Sequence, residues 1–191
     1  MSDFTTVMNE MREHHKGAIG QSGLQRFIPS TAKLQSFLGA ARGASVSQDV
    51  TDALAKLKLK AQVLAQDECT AIRNGLIGAA ESFTKSGGDE AALSKFQKAL
   101  EKQRDAAKQG VSQSIDTLYD EAISLGEQNP QAQGTIMNML DDIGEMFCDM
   151  FMRLSGFIAM IGDRIVDSIG DVWERMKEFF GNIFSRICNW F

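Results

Sequence analysis

The sequence is poor in proline, histidine and tyrosine. Each of these shortages limits the fold classes or the kinds of functional site that the protein is expected to have. Its 191 residues include two prolines, two histidines and one tyrosine (Pro29, Pro130, His14, His15 and Tyr119). Proline interrupts helices more strongly than any other residue, so a chain with two of them can be helical along most of its length. General acid–base chemistry and metal binding both rely heavily on histidine. The composition therefore predicts an all-α protein and singles out no catalytic, cofactor-binding or metal-binding residue.

The two histidines are adjacent, which argues against a metal site. Neighbouring residues of a helix point about 100° apart, whereas two histidines that chelate one ion from a helix are spaced four residues apart. We therefore interpret His14 and His15 as a solvated surface pair, and Tyr119 as a half-buried aromatic residue of a helix. Carboxylates are abundant, but no pair of them stands out as a general acid and base. The sequence does not favour an enzyme.

Cysteine is also scarce. Cys69, Cys148 and Cys188 are odd in number and far apart in sequence, which fits neither a disulfide framework nor a zinc site. The first 15 residues are polar and lack the apolar core of a secretory signal. These features predict a reducing, cytoplasmic location and no cofactor.

The sequence also lacks a basic patch and a long uncharged apolar run. The formal net charge is −5, with 15 Lys and Arg against 16 Asp and Glu in residues 1–134, and 5 against 9 in residues 135–191. An acidic chain without a basic surface is not expected to bind nucleic acid, and nothing suggests a small-molecule substrate. The most apolar window, residues 143–161, contains three charged residues, so a resting transmembrane helix is not expected.

Breaks in the apolar pattern divide the rest of the chain. Residues 1–46 are predicted to form two short helices, the second of them after Pro29. Residues 47–126 show two long apolar stripes of helical spacing that are separated by the Ser-Gly-Gly-Asp sequence at 86–89. This segment is predicted to form a long antiparallel helical hairpin. The predicted fold class is an elongated all-α bundle.

Bulky apolar residues concentrate in the C-terminal segment, 135–191. Both tryptophans, seven of the twelve phenylalanines and seven of the ten methionines lie between Ile136 and Phe191. They recur in steps of three and four, which indicates one long amphipathic helix, capped by Thr135. A straight helix of this length would span roughly 84 Å. It is therefore expected either to bend, at Ser155-Gly156 or Gly162, or to project from the bundle.

The same segment repeats itself at a spacing of 22 residues. The shift places Phe157 on Phe179 and Ile161 on Ile183. Since 22 residues are two elevens of about 3.67 residues per turn, both copies keep the same face. The period is similar to that of the tandem amphipathic helices of exchangeable apolipoproteins, a resemblance that covers only this segment and implies lipid contact. This chain departs from that pattern because no proline separates the repeats and its polar face is mostly acidic.

Three alternatives remain for what covers the apolar stripe: the hairpin, a lipid bilayer, or a second copy of the chain. We favour a non-enzymatic membrane-active protein (a pore-forming, membrane-remodelling or membrane-penetration factor) that is soluble until triggered and then binds a membrane peripherally. The alternative is a structural protein that forms a coiled-coil oligomer or docks on a partner through the same helix. The predicted membrane or partner contacts are Phe147, Phe151, Phe157, Ile161, Ile165, Ile169, Trp173, Phe179, Phe180, Ile183, Phe184, Trp190 and Phe191.

Carboxylates on the polar side of this helix are candidate pH sensors. They recur four residues apart, and acidic neighbours at that spacing repel each other, so each favours protonation of the other. We therefore expect any membrane activity to rise as the pH falls. The predicted pH-sensitive residues are Asp141, Glu145, Asp149, Asp163, Asp167 and Asp171.

Overall fold

The computed structural model describes residues 2–21, 25–32, 34–35, 47–165 and 169–190. Within these ranges the chain is helical and contains no strand, so the all-α prediction is confirmed. A single 3-10 turn, Pro130–Ala132, precedes the fourth helix. The helices are α1 (Asp3–Ala18), α2 (Gln48–Lys85), α3 (Glu90–Gln128), α4 (Gln133–Arg164) and α5 (Ile169–Trp190).

Helices α2 and α3 form the long antiparallel hairpin that the sequence predicts. Gly87 and Gly88 in its turn have φ angles of 80° and 70°, a left-handed conformation that residues with a Cβ atom rarely adopt. Asp89 then caps α3, because its carboxylate accepts a hydrogen bond from the Ala92 amide at 2.7 Å. The turn and the cap together fix where the chain reverses.

The C-terminal segment is two helices, whereas the sequence led us to expect a single helix over 135–191. Helix α4 begins at Gln133 rather than at Thr135, because the 3-10 turn leads directly into it. It continues through Gly156 and Gly162, the two places where a bend was expected, and ends at Arg164. A glycine inside a helix keeps its backbone hydrogen bonds and costs only about 1 kcal/mol, which packing on neighbouring helices can offset.

Helix α5 returns along α4 in the opposite direction. The ring of Phe179 lies on the ring of Phe157, and farther along the pair Arg186 lies close to Asp149. The two copies of the 22-residue repeat therefore face each other as the arms of a second helical hairpin.

In the described ranges, α2 to α5 form an up-down-up-down four-helix bundle. Each helix packs on the next along the chain, and α5 packs on α2 to close the ring. Helix α1 lies outside this ring across α3 and α4, and it buries one face through Phe4, Val7, Met8 and Met11. The second short helix predicted after Pro29 lies mostly outside the described residues.

Candidate functional site

The candidate site is the α4–α5 hairpin, because the predicted contact residues lie on it. Its middle holds an aromatic cluster in which Phe157 stacks on Phe179 and meets the edge of Phe180 at 5.9 Å between centroids. Phe179 and Phe180 are also edge to face, at 5.2 Å. Edge-to-face pairs of this kind stabilise an interface by about 0.5–1.5 kcal/mol beyond the area that they bury.

Most of the predicted contact face is core in this structure. Phe147, Phe151, Ile161, Ile165, Phe180 and Ile183 are buried, and Phe157 is 7% exposed. Trp173, Phe179 and Phe184 are partly buried and pack against the same core. Only Trp190, at 45%, is largely exposed among those predicted residues whose side chains are described. Ile169 and Phe191 lie outside the described side chains. In this structure the stripe is covered by α1, α2 and α3 and by contacts between α4 and α5 themselves. Contact of the stripe with a bilayer or with a second copy stays a prediction.

The two helices of the hairpin differ in how deeply they are embedded. Helix α4 packs on α1, α3 and α5 and also touches α2, whereas α5 packs on α2 and α4. They also differ in charge, because residues 133–164 carry five acidic and two basic residues, and residues 169–190 carry three of each. The acidic excess of the C-terminal segment thus belongs to the embedded helix. The outer helix is electrically balanced.

The interface of α5 is apolar at its centre and polar at its edges. Val172, Met176, Phe180, Ile183 and Ile187 are buried along its inner face. At the edge, Arg186 approaches Asp149 to 3.9 Å, and Asp149 also pairs with Arg153 at 2.8 Å. The amide of Gln66 on α2 donates to the sulfur of Cys188 at 3.4 Å. Exposed pairs of this kind contribute little, so the apolar contacts hold α5 in place.

A cleft of about 510 Å³ lies at the end of α5, between the first turns of α2 and α4. Leu54, Met139, Ile143 and Trp190 form its apolar wall, and its rim carries Lys58 and Asp142 among other polar residues. The end of α5 that carries Trp190 is therefore packed less tightly on the bundle than its middle.

The predicted pH-sensitive carboxylates do not share one environment. Asp141 is half-buried beside His15, and Asp149 lies between the two arginines described above. Asp163 and Asp171 are exposed, Glu145 is half-buried, and Asp167 lies outside the described residues. The carboxylates of the expected ladder thus differ in burial, from half-buried to exposed. Their effect on membrane activity stays a prediction.

A buried polar cluster joins α1 to α3 and α4, and it corrects two of our interpretations. His15 is fully buried, not solvated, because it lies on the same face of α1 as Met8 and Met11. Its Nδ1 lies 2.8 Å from the hydroxyl of Tyr119, and its Nε2 lies 3.3 Å from Oδ1 of Asp141. Tyr119 is fully buried rather than half-buried. The spacing of His15 from Met8 and Met11 on one helical face was the signal that could have revealed the burial.

Electrostatics around this cluster keep its weak acids protonated. Burial, then Asp141 and Cys148, raise the pKa of Tyr119 well above its usual range, while Arg12 lowers it. The guanidinium of Arg12 lies over the tyrosine ring at 5.8 Å from its centroid. Burial, followed by the charge of Glu145, raises the pKa of Cys148 to about 12. Both groups are therefore neutral hydrogen-bond partners at physiological pH.

The three thiols are unpaired and differ in accessibility. Cys69 and Cys148 are buried, and Cys188 is exposed on α5. Burial, with a smaller contribution from Glu68, raises the pKa of Cys69 to about 12. The Cys69 thiol contacts the Met150 sulfur at 3.5 Å, so it serves as a core residue between α2 and α4.

No family model matches the chain, and neither a curated protein nor a solved structure is significantly similar to it. None of the helices in the described ranges has a stretch both long and apolar enough to cross a bilayer. Within the same ranges no three His, Cys, Asp or Glu side chains come together as metal ligands.

Proposed function

We propose that the protein binds membranes peripherally through α5, which leaves the bundle and places its apolar face in the bilayer interface. The observation that carries this proposal is the composition of α5. One face holds five buried apolar side chains, and the exposed remainder of the helix balances three acidic residues with three basic ones. A helix of 22 residues is about 33 Å long, enough to lie in the membrane plane as an interfacial anchor.

Exchange of partners is energetically feasible for α5 because hydrophobic contacts are not directional. Burial of a large apolar side chain contributes about 1.5–3 kcal/mol, whether the covering surface is protein or acyl chain. The inner face of α5 therefore keeps most of this stabilisation when lipid replaces α2 and α4. The cleft beneath Trp190 gives the helix a loosely packed end from which separation can begin.

Charge and aromatic residues suit α5 to a zwitterionic surface. Its balanced charge provides no attraction to anionic lipid and no repulsion from neutral lipid. Trp173 and Trp190 lie near its two ends, and tryptophan is enriched at the level of lipid headgroups.

Departure of α5 uncovers part of α4, including Phe157. Exposure of that surface to water is unfavourable, so we expect release to occur at the bilayer, where lipid or a second copy of the chain covers it. The same uncovered surface is where the alternative function, a self-associating structural protein, would form its seam.

A disulfide lock tests the proposal. Gln66→Cys puts a thiol on α2 facing Cys188, whose sulfur the Gln66 amide contacts at 3.4 Å, and loss of both free thiols on oxidation verifies that the cross-link has formed. We expect the oxidised variant to stay at the bottom of a flotation gradient with phosphatidylcholine vesicles, and to float after reduction. The matched control, Gln66→Cys with Cys188→Ser, should float regardless of oxidant.

Two results would contradict this function. Flotation of the oxidised, cross-linked protein would show that α5 need not move. Absence of flotation in the wild type between pH 7.5 and pH 4.5 would exclude membrane binding to neutral lipid, and a mass that rises with protein concentration without lipid would then favour the oligomer.

A further inference from the structure

A second cleft, of about 440 Å³, lies between α4 and α5. This arginine cleft is lined by Arg153 of α4 and by Phe179, Asn182, Ile183, Ser185 and Arg186 of α5. Among the described residues its lining holds two guanidinium groups and no carboxylate, whereas the cleft beneath Trp190 has both Lys58 and Asp142 at its rim. The lining of the arginine cleft therefore favours an anion.

Both arginines of the cleft converge on one oxygen of Asp149. Nε of Arg153 lies 2.8 Å from Oδ2 of Asp149, and Nη2 of Arg186 lies 3.9 Å from the same oxygen, which is beyond hydrogen-bond distance. One negative charge thus faces two positive charges. A guanidinium carries five N–H donors, and both arginine side chains are about half exposed, so donors remain available to a ligand in the cleft.

The rest of the lining suits a phosphorylated molecule with an apolar part. Asn182 and Ser185 are exposed, and their amide and hydroxyl groups can donate hydrogen bonds to phosphate oxygens. Ile183 is buried, and the partly buried ring of Phe179, which stacks on Phe157, adds further apolar surface. The volume of the cleft falls within the range of roughly 300–1,000 Å³ that is typical of small-molecule sites.

A phosphate monoester fits the two arginines better than a carboxylate does. Its charge is about −1.5 to −2 at neutral pH, and it has three strong acceptor oxygens. Guanidinium groups bind phosphate oxygens through two parallel hydrogen bonds. Separate oxygens of one phosphate can accept from Arg153 and from Arg186, whereas Oδ2 of Asp149 accepts a hydrogen bond from Arg153 and only approaches Arg186.

We propose that the arginine cleft binds a small phosphate monoester, whose phosphate group bridges Arg153 of α4 and Arg186 of α5. The ligand joins the two helices and therefore opposes their separation. It binds the closed bundle, in which α5 packs on α2 and α4, and this binding requires no lipid. Only its effect on membrane binding rests on the proposed function.

Calorimetric titration of the full chain with phenyl phosphate at pH 7.5 tests the site. The wild type should bind, and Arg153→Gln and Arg186→Gln should each weaken binding about tenfold, because each removes charge-assisted hydrogen bonds. Arg175 is an exposed arginine of α5 outside the lining, so Arg175→Gln is a matched control that should leave the affinity unchanged. Dimethyl phosphate, a phosphodiester like that of a phospholipid, should bind more weakly than phenyl phosphate because it carries less charge.

A variant of opposite effect separates ligand binding from a structural role. Asp149 competes with the phosphate for both guanidinium groups, so Asp149→Asn should tighten the binding of phenyl phosphate. Asp163→Asn makes the same change in net charge at an exposed site of α4 and should have no effect. If Asp149 served only to hold the arginines in place, its loss would weaken binding instead.

Four results would each overturn the proposal: no binding of phenyl phosphate by the wild type, equal losses in Arg186→Gln and Arg175→Gln, tighter binding of dimethyl phosphate, or weaker binding in Asp149→Asn. Flotation measures the effect on α5. With phenyl phosphate at ten times its Kd, the lipid concentration needed for half-maximal flotation should rise about tenfold, because only the closed protein binds the ligand. An unchanged lipid requirement would overturn the bridging of α4 and α5. Because calorimetry uses no lipid, a wild type that binds phenyl phosphate and does not float would contradict the membrane function alone.

Discussion

The ring of Phe157 lies flat on the ring of Phe179, with 3.9 Å between centroids and 2° between planes. These residues are equivalent positions of the 22-residue repeat. Because α5 runs antiparallel to α4, the two copies of the repeat meet at this pair.

A double-mutant cycle measures this contact. Phe157→Leu and Phe179→Leu should each lower the free energy of unfolding, Phe157 more strongly because it is the more deeply buried of the two. The double variant should lose less than the sum, with a coupling energy of about 0.5–1.5 kcal/mol. Urea denaturation gives all three values. If the two losses were additive, the rings would stabilise the protein only through the apolar area that they bury, and not through their stacking on each other.

Two helical glycines contact side chains of α1, and replacing either of them by alanine should destabilise the protein, contrary to the usual effect of this substitution. Alanine at a helical glycine normally stabilises by about 0.5–1 kcal/mol. At Gly144 and Gly126, however, the new Cβ would lie 2.2 Å from His15 and Phe4, both buried, so these two substitutions should destabilise the protein. Gly156→Ala has nothing within 4 Å and is the control that should stabilise. Thermal unfolding separates the cases, and a gain at Gly144 would show that α1 is not seated there.

Glu68 offers a pH-dependent prediction. Burial, and secondarily the charge of Asp67, raise the pKa of its carboxyl in the folded state. Ionised Glu68 therefore destabilises the folded state at pH values above its raised pKa. This destabilisation disappears as the pH falls through the raised pKa to the pKa of the unfolded chain, because the carboxyl is then protonated in both states. Glu68→Gln should accordingly raise the urea midpoint at pH 7.5, with a gain that shrinks toward pH 4. Glu101→Gln, at an exposed site, should change it little. If the gain in urea midpoint instead grew toward low pH, burial would not be what raises the pKa of Glu68.

The sequence predicted which segments are helical. It did not predict where those helices end or which helices pack against each other. Apolar spacing located α1, both arms of the α2–α3 hairpin and the stripe of the C-terminal segment, because burial of one face is what that spacing encodes. Spacing does not encode where a long amphipathic helix reverses. Gly156 and Gly162 carried the strongest local signal, but helix α4 passes through both.

His15 shows a second limit of sequence reasoning. Adjacent histidines among glutamates are usually solvated, and the partners that make burial tolerable, Tyr119 and Asp141, lie more than 100 residues away. Only tertiary packing brings them together. In the same way, the predicted contact face of Phe147 and Phe151 could not be distinguished from core until the helices around it were known.

Thiol reactivity should distinguish the three cysteines. The pKa values of Cys69 and Cys148 are raised from 9.0 to about 12, which lowers their thiolate fractions about 1000-fold, and both are buried. In native protein at pH 8 we expect one fast-reacting thiol with Ellman's reagent, and three in urea. Cys188→Ser should remove the fast phase. Two or more fast thiols in the native wild type would show that the core is open.

Intrinsic fluorescence reports directly on α5, because both tryptophans of the chain lie on it. Trp173 is partly buried in the closed bundle, whereas Trp190 is 45% exposed to water. If α5 moves into a bilayer interface, Trp190 exchanges water for headgroups and acyl chains, so its emission should shift to shorter wavelength and iodide should quench it less. We therefore expect phosphatidylcholine vesicles to shift the emission of Trp173→Phe, in which Trp190 alone emits, more than that of Trp190→Phe. The oxidised Gln66→Cys variant, in which α5 is held on α2, should show neither change until it is reduced. An emission shift in the locked protein would mean that lipid reaches Trp190 without release of α5, and the proposed movement would then be wrong.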